Sequence, residues 1–182
     1  AASDVYKRQG QFGSHPGDVN PYAASTFYAV DRFASYREEW GKIYENGGLI
    51  LSDRYTTSNA VHQGSKLPED ELPEFFDWLY DLEYGKMGLP KPDMVIYLDV
   101  DVKTALSRMS RRQERTNTKA DIHEQDSEYL ERCLIAARKA AGYYGWVKVD
   151  YMKDGCERDV DEKNMEIFNI ILKEISEDSG NK

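Results

Sequence analysis

The sequence has 182 residues, 40% of them hydrophobic and 12% aromatic, which suits one globular domain with a sizeable core and excludes a disordered chain. Its net charge of −9 argues against a general nucleic-acid binder or a binder of anionic membranes, because both need positive surface. The longest apolar run, Met94 to Leu98, is far short of the roughly 20 residues of a spanning helix, and no basic-then-apolar signal pattern opens the chain. Cys133 and Cys156 lack metal-ligand spacing and read as reduced thiols of a cytoplasmic protein.

Residues 1–9 have neither periodicity nor motif and read as a leader foreign to the rest of the chain or as an ordinary variable, disordered terminus; residues 10–182 read as a single domain. Gly10 to Gly17 is a loop by composition, but it is no phosphate loop. No strand precedes it and no Gly-Lys-Ser/Thr comes after it. The pairs Gly41-Lys42 and Gly85-Lys86 fail the same pattern, so none of these 182 residues forms that motif. Asn20-Pro21 predicts a helix start, and the helix runs from Tyr22 to about Asn46 with Phe27, Val30, Ala34 and Trp40 as core positions. Tyr28 and Arg32 are four apart and share a face.

Gly47-Gly48 ends that helix, and the apolar run Gly48 to Leu51 predicts a buried parallel strand. It delivers Asp53-Arg54 to its carboxyl end, where ligands of open α/β sheets bind. An arginine there offers a planar fork of donors to a phosphate, and an aspartate beside it can hold Mg²⁺ directly or through water. Leu67-Pro68 predicts the start of a helix with an apolar face of Phe75, Phe76, Leu79 and Leu82. Asp93 to Val100 is the clearest strand, with a helix after it from about Val102 to Arg111. Residues 108–124 concentrate base in an acidic chain and read as a lid carrying Arg108, Arg111, Arg112 and Arg115. Asp126 caps a helix from Ser127 to Ala141 with Leu130, Cys133, Leu134 and Ala137 on its apolar stripe, and Trp146 to Asp150 is a last short strand. A final amphipathic helix from Asp159 to Ile175 carries Met165, Ile167, Phe168, Ile171, Leu172 and Ile175. Strand and helix alternate, so the fold class is α/β with a mainly parallel sheet flanked by helices.

Asp53-Arg54-Tyr55 together with Ser58-Asn59 and His62-Gln63 resembles the thymidylate kinase family. The segment Tyr28-Ala29-Val30-Asp31-Arg32 is similar to that family's Phe-Ala-Ala-Asp-Arg, and Asp121-Ile122-His123-Glu124 is similar to the sequence after its lid. The resemblance implies a three-layer P-loop kinase fold, here without its first strand and phosphate loop, as in an N-terminally truncated chain. It implies transfer of the γ-phosphoryl of ATP to dTMP with Mg²⁺, in a cytoplasmic homodimer whose contact includes the aromatic helix from Tyr22 to Tyr36. By resemblance Arg54 holds the dTMP phosphate, and Asp53 serves the metal–phosphate region. Tyr28 and Arg32 read thymine, Asn59 and His62 lie near sugar and phosphate, and Gln63 belongs to the substrate site. Arg112, or else Arg111, reaches the transferred group from the lid. A deoxynucleoside kinase and a non-catalytic nucleotide-binding domain are the alternatives; consumption of dTMP or of thymidine separates the first.

Overall fold

In a computed structural model the described residues are 19–116 and 127–179. They fall into two compact units: residues up to 91 with 135–137, and residues 92–134 with 138 onward.

In the first unit, α1 spans Pro21–Ser35. Asn20 caps it, its side-chain oxygen accepting the N–H of Tyr22 at 2.9 Å and of Ala23 at 3.2 Å. The helix runs on through a π-helical turn, Tyr36–Trp40, into α2, Gly41–Glu45. Gly41 donates its N–H to the Tyr36 carbonyl, and a Cβ there would stand 2.4 Å from that oxygen. The buried face of α1 is small: Ala24, Ser25 and Ala29. Phe27, Val30 and Ala34 are exposed, against the sequence expectation, and Trp40 is half-buried. The physical reason is space. Small side chains leave the α1 backbone open to Asn59, which reaches the Ser25 carbonyl at 3.3 Å, while Tyr22 meets Phe75 at 5.3 Å and Trp78 at 4.7 Å of the aromatic α4, Leu72–Tyr80, edge to face.

Residues 48–52 are not a strand. Leu49 and Leu51 are 76% and 86% exposed. A strand needs a hydrogen-bonded neighbour, and among the described residues none pairs with this run. After it come α3, Thr57–His62, and a 3₁₀ turn, Gly64–Lys66. The next helix begins at Leu72, later than Leu67-Pro68 suggested. Leu67 is extended (φ −101°, ψ 152°), as expected of a residue before proline. Leu72, Phe75, Phe76 and Leu79 of α4 form the core, and a second π-helical turn, Asp81–Lys86, continues the helix.

In the second unit, β1, Ile96–Asp99, pairs in parallel with β2, Val147–Asp150, in the register Ile96↔Val147 to Asp99↔Asp150. Between them run α5, Val102–Thr116, and α6, Ser127–Tyr144. Asp101 caps α5 through the N–H and hydroxyl of Thr104, both at 2.8 Å. The helix outruns its expected end at Arg111 because Arg, Gln and Glu sustain a helix. An antiparallel ribbon, β3 (Met152–Lys153) and β4 (Cys156–Glu157), turns at Asp154-Gly155 with φ 51° and 77°, the left-handed pair that Asp-Gly turns supply. The sequence pattern did not foretell it. α7, Val160–Ser179, leaves Met165, Phe168, Leu172 and Ile175 of its apolar stripe exposed among the described residues.

The architecture is helix-rich with a small parallel sheet, compatible with the α/β expectation. No described helix is long and apolar enough to cross a membrane. The leader 1–9, the Gly10–Gly17 loop and the cap Asp126 lie outside the described residues.

Candidate active site

The turn at Asp53-Arg54 carries the one left-handed non-glycine residue among the described residues of the first unit. Arg54 has φ 71°, a left-handed conformation that non-glycine residues adopt at a cost of about 1–2 kcal/mol. Three side chains hold the turn. Ser52 donates its hydroxyl to the Arg54 carbonyl at 2.7 Å. Tyr55 donates its hydroxyl to the Pro90 carbonyl at 3.0 Å. Thr56, buried at 3% exposure, shares a hydrogen bond with the Tyr84 hydroxyl. Asp53 and Arg54 themselves are exposed, and their side chains have no partner among the described residues.

Beside Tyr84 sits Glu83, inside the second π-helical turn and fully buried. Arg32 of α1 grips it side-on: Nε donates to Oε2 at 3.0 Å and Nη2 to Oε1. Asn59 of α3, 2% exposed, donates its amide to Oε1 at 3.2 Å and to the Ser25 carbonyl at 3.3 Å. So Asn59 faces inward and serves the carboxylate, whereas the sequence reading put it near sugar and phosphate. Gln63 lies one turn beyond, 2% exposed, and its Oε1 has no hydrogen-bond partner among the described residues. Tyr28 is half-buried on the Arg32 side of α1, and His62 closes α3, also half-buried.

Sequence reasoning missed Glu83, Thr56 and Tyr84. A signal was present for Glu83: Leu72, Phe76, Leu79 and Glu83 are spaced as one helical stripe, and an acid on an apolar stripe demands a buried base. Burial pushes the Tyr84 hydroxyl up to about 12, against the bond from Thr56, and burial likewise raises Tyr55. Both phenols stay neutral at any ordinary pH.

The arginine-rich segment lies in the second unit. Arg108, Arg111 and Arg112 stand on α5 and are exposed; Arg115 continues the helix. Arg108 is engaged there, stacked 4.9 Å from the Tyr151 ring and 3.8 Å from Glu157. Arg111 has no partner among the described residues. Residues 117–124 of the expected lid, with Asp121 and Glu124, are outside the described residues. At the carboxyl end of β1, Asp99 is 8% exposed. It accepts from Arg138 Nε at 3.0 Å, Lys148 Nζ at 3.3 Å and the Tyr97 hydroxyl at 3.2 Å. Burial would raise this carboxyl, but the Arg138 and Lys148 bonds outweigh it and hold it below the usual range.

The thymidylate kinase family model matches residues 13–158, which include every one of these site residues. The chain belongs to the thymidylate kinase family. It is 32% identical over 143 residues to a thymidylate kinase of Mycobacterium tuberculosis, covering 75% of this chain and 66% of that protein. It is 31% identical over 152 residues to a probable thymidylate kinase of Methanococcus maripaludis, covering 81% of this chain and 67% of the relative. A probable thymidylate kinase of Pyrobaculum aerophilum is 30% identical over 96 residues, 53% of this chain and 45% of the relative. The chain thus spans about two thirds, or less, of the length of these thymidylate kinases.

Proposed function

We propose that this chain carries the acceptor site for phosphoryl transfer from ATP to dTMP, giving dTDP and ADP for dTTP synthesis. The observation that carries the reading is the strained Arg54: an exposed guanidinium on a left-handed backbone, held by Ser52, Tyr55 and Thr56. Strain of this kind persists where function needs a fixed side chain. Arg54 binds the dTMP phosphate with its planar fork. Arg32 and Tyr28 read thymine, Tyr28 as a flat wall and Arg32 as a donor to a base oxygen. His62 and Gln63 line the sugar side, and Asn59 acts on Arg32 through Glu83.

Phosphoryl transfer asks little covalent work of a protein and much positioning and charge stabilisation. Arg112, Arg111 and Arg115 supply positive charge to the transferred group; Arg108 is engaged with Tyr151 and Glu157. Asp53, an exposed carboxylate without a protein partner among the described residues, fits Mg²⁺, which keeps waters and substrate phosphates as its other ligands. The ion would neutralise phosphate charge. We place a homodimer contact on α1, whose Phe27, Val30 and Phe33 are exposed. The cytoplasm is the compartment that fits a nucleotide kinase with reduced thiols.

The test is a coupled ADP-release assay together with equilibrium binding. These 182 residues hold no Gly-x-x-x-x-Gly-Lys-Ser/Thr cradle for ATP phosphates, so the reading predicts dTMP binding without turnover by them alone. Consumption of thymidine instead of dTMP, or no dTMP binding, would overturn it.

A further inference from the structure

A carboxylate with no exposed surface is expensive to keep, and Glu83 is one, set in the π-helical turn in line with the core stripe of α4. Stability alone does not account for it, because well-packed apolar residues often do as well as a buried ion pair or better. What the pair supplies is geometry. The side-on grip uses Nε and one N–H of Nη2, and Asn59 adds a third donor to the same carboxylate. With its plane fixed by two bonds, the Arg32 guanidinium cannot rotate. Its far edge keeps its remaining N–H donors, the side chain is 17% exposed, and no other partner holds it among the described residues. A π-helical turn, a local geometry frequent at functional sites, is what carries Glu83 to this point.

We propose that Glu83 is the positioning residue for base recognition, fixing the Arg32 fork so that its outward donors accept a 4-oxo pyrimidine and reject a 4-amino one. This rests on the dTMP reading above. A guanidinium has donors only, so a base oxygen completes it. An exocyclic amino group faces it donor to donor and leaves buried polar groups unpaired, which is the strong form of discrimination. Glu83 touches no substrate; it acts through Arg32.

The experiment titrates the full chain with dTMP, dCMP and deoxyribose 5-phosphate by calorimetry. Wild type should favour dTMP over dCMP. In Glu83→Gln that preference should fall roughly 10- to 100-fold, the worth of one hydrogen bond to a charged group. Deoxyribose 5-phosphate affinity should not move, and Glu83→Asp should restore part of the preference. A purely structural pair would weaken all three ligands together through folding. A folded Glu83→Gln chain with the wild-type dTMP:dCMP ratio overturns the inference. Wild type that binds dTMP no better than deoxyribose 5-phosphate overturns the underlying reading instead. If Glu83→Gln does not fold, ¹⁵N NMR of the wild-type chain decides. The Arg32 Nε–H should be one slowly exchanging resonance that persists at saturating dTMP. Its averaging in the free protein, or its loss on binding, would contradict fixation by Glu83.

Discussion

At position 54, glycine would relieve the φ of 71° that arginine endures. Arg54→Gly should therefore be more stable than Arg54→Ala by about 1 kcal/mol, since only glycine visits this region freely. Both should lose dTMP affinity by roughly 10- to 100-fold, the loss of hydrogen bonds to a charged phosphate. Chemical denaturation and calorimetric titration of the two variants check both halves. Equal stability would mean the backbone relaxes when the side chain goes. The aspartate at 53 was readable as polar chemistry at the end of an apolar run, but the strain at 54 was not. A dihedral of this kind depends on Ser52, Tyr55 and Thr56 being tied down, and the partners of the last two are Pro90 and Tyr84, far along the chain.

Elements differ in how far their pattern revealed them. The strand at Ile96–Asp99 was legible because its apolar run is continuous, and β2 because Val147 and Val149 alternate with Lys148 and Asp150. Helix α1 was legible in extent and misread in orientation: hydrophobicity ranks Phe27 and Val30 above Ala24 and Ala29, but the buried face carries the alanines with Ser25, whose carbonyl Asn59 reaches. The run at 48–52 was misread because an apolar segment specifies a strand only when a neighbour pairs with it. A direct check compares Leu49→Ser/Leu51→Ser with Phe76→Ala. The exposed pair should change stability by no more than about 0.5 kcal/mol, and the core phenylalanine should cost about 3–5 kcal/mol. A large loss from the leucine pair would return the segment to the core. The π-helical turn that carries Tyr84 makes a second element-scale prediction. Its pKa of about 12 lies above the free value of about 10. The neutral phenol thus contributes stability that is full below pH 10 and lost as pH rises towards 12. Denaturation midpoints should fall through that window, and Tyr84→Phe should flatten the slope. Asp99, held low at the end of β1, has the opposite sign: its contribution is full above the ordinary carboxylate range and is lost as pH falls through its lowered value. Asp99→Asn should lessen the acid sensitivity of the second unit.

For the whole molecule, the acceptor-side residues Tyr28, Arg32, Asp53, Arg54, Asn59, His62 and Gln63 all lie in the first unit, and the arginines of α5 lie in the second. That division was not visible in a chain with no linker composition. Arg111→Ala and Arg112→Ala should leave dTMP affinity within about a factor of two, because both are exposed side chains assigned to the transferred group and not to the acceptor. The most direct measurement is calorimetric titration of the 182-residue chain with dTMP and with thymidine, in wild type and Arg54→Ala. The account predicts that dTMP binds far more tightly than thymidine, and that Arg54→Ala removes the difference. Thymidine binding as tightly as dTMP, or an Arg54→Ala chain that still prefers dTMP, would contradict it.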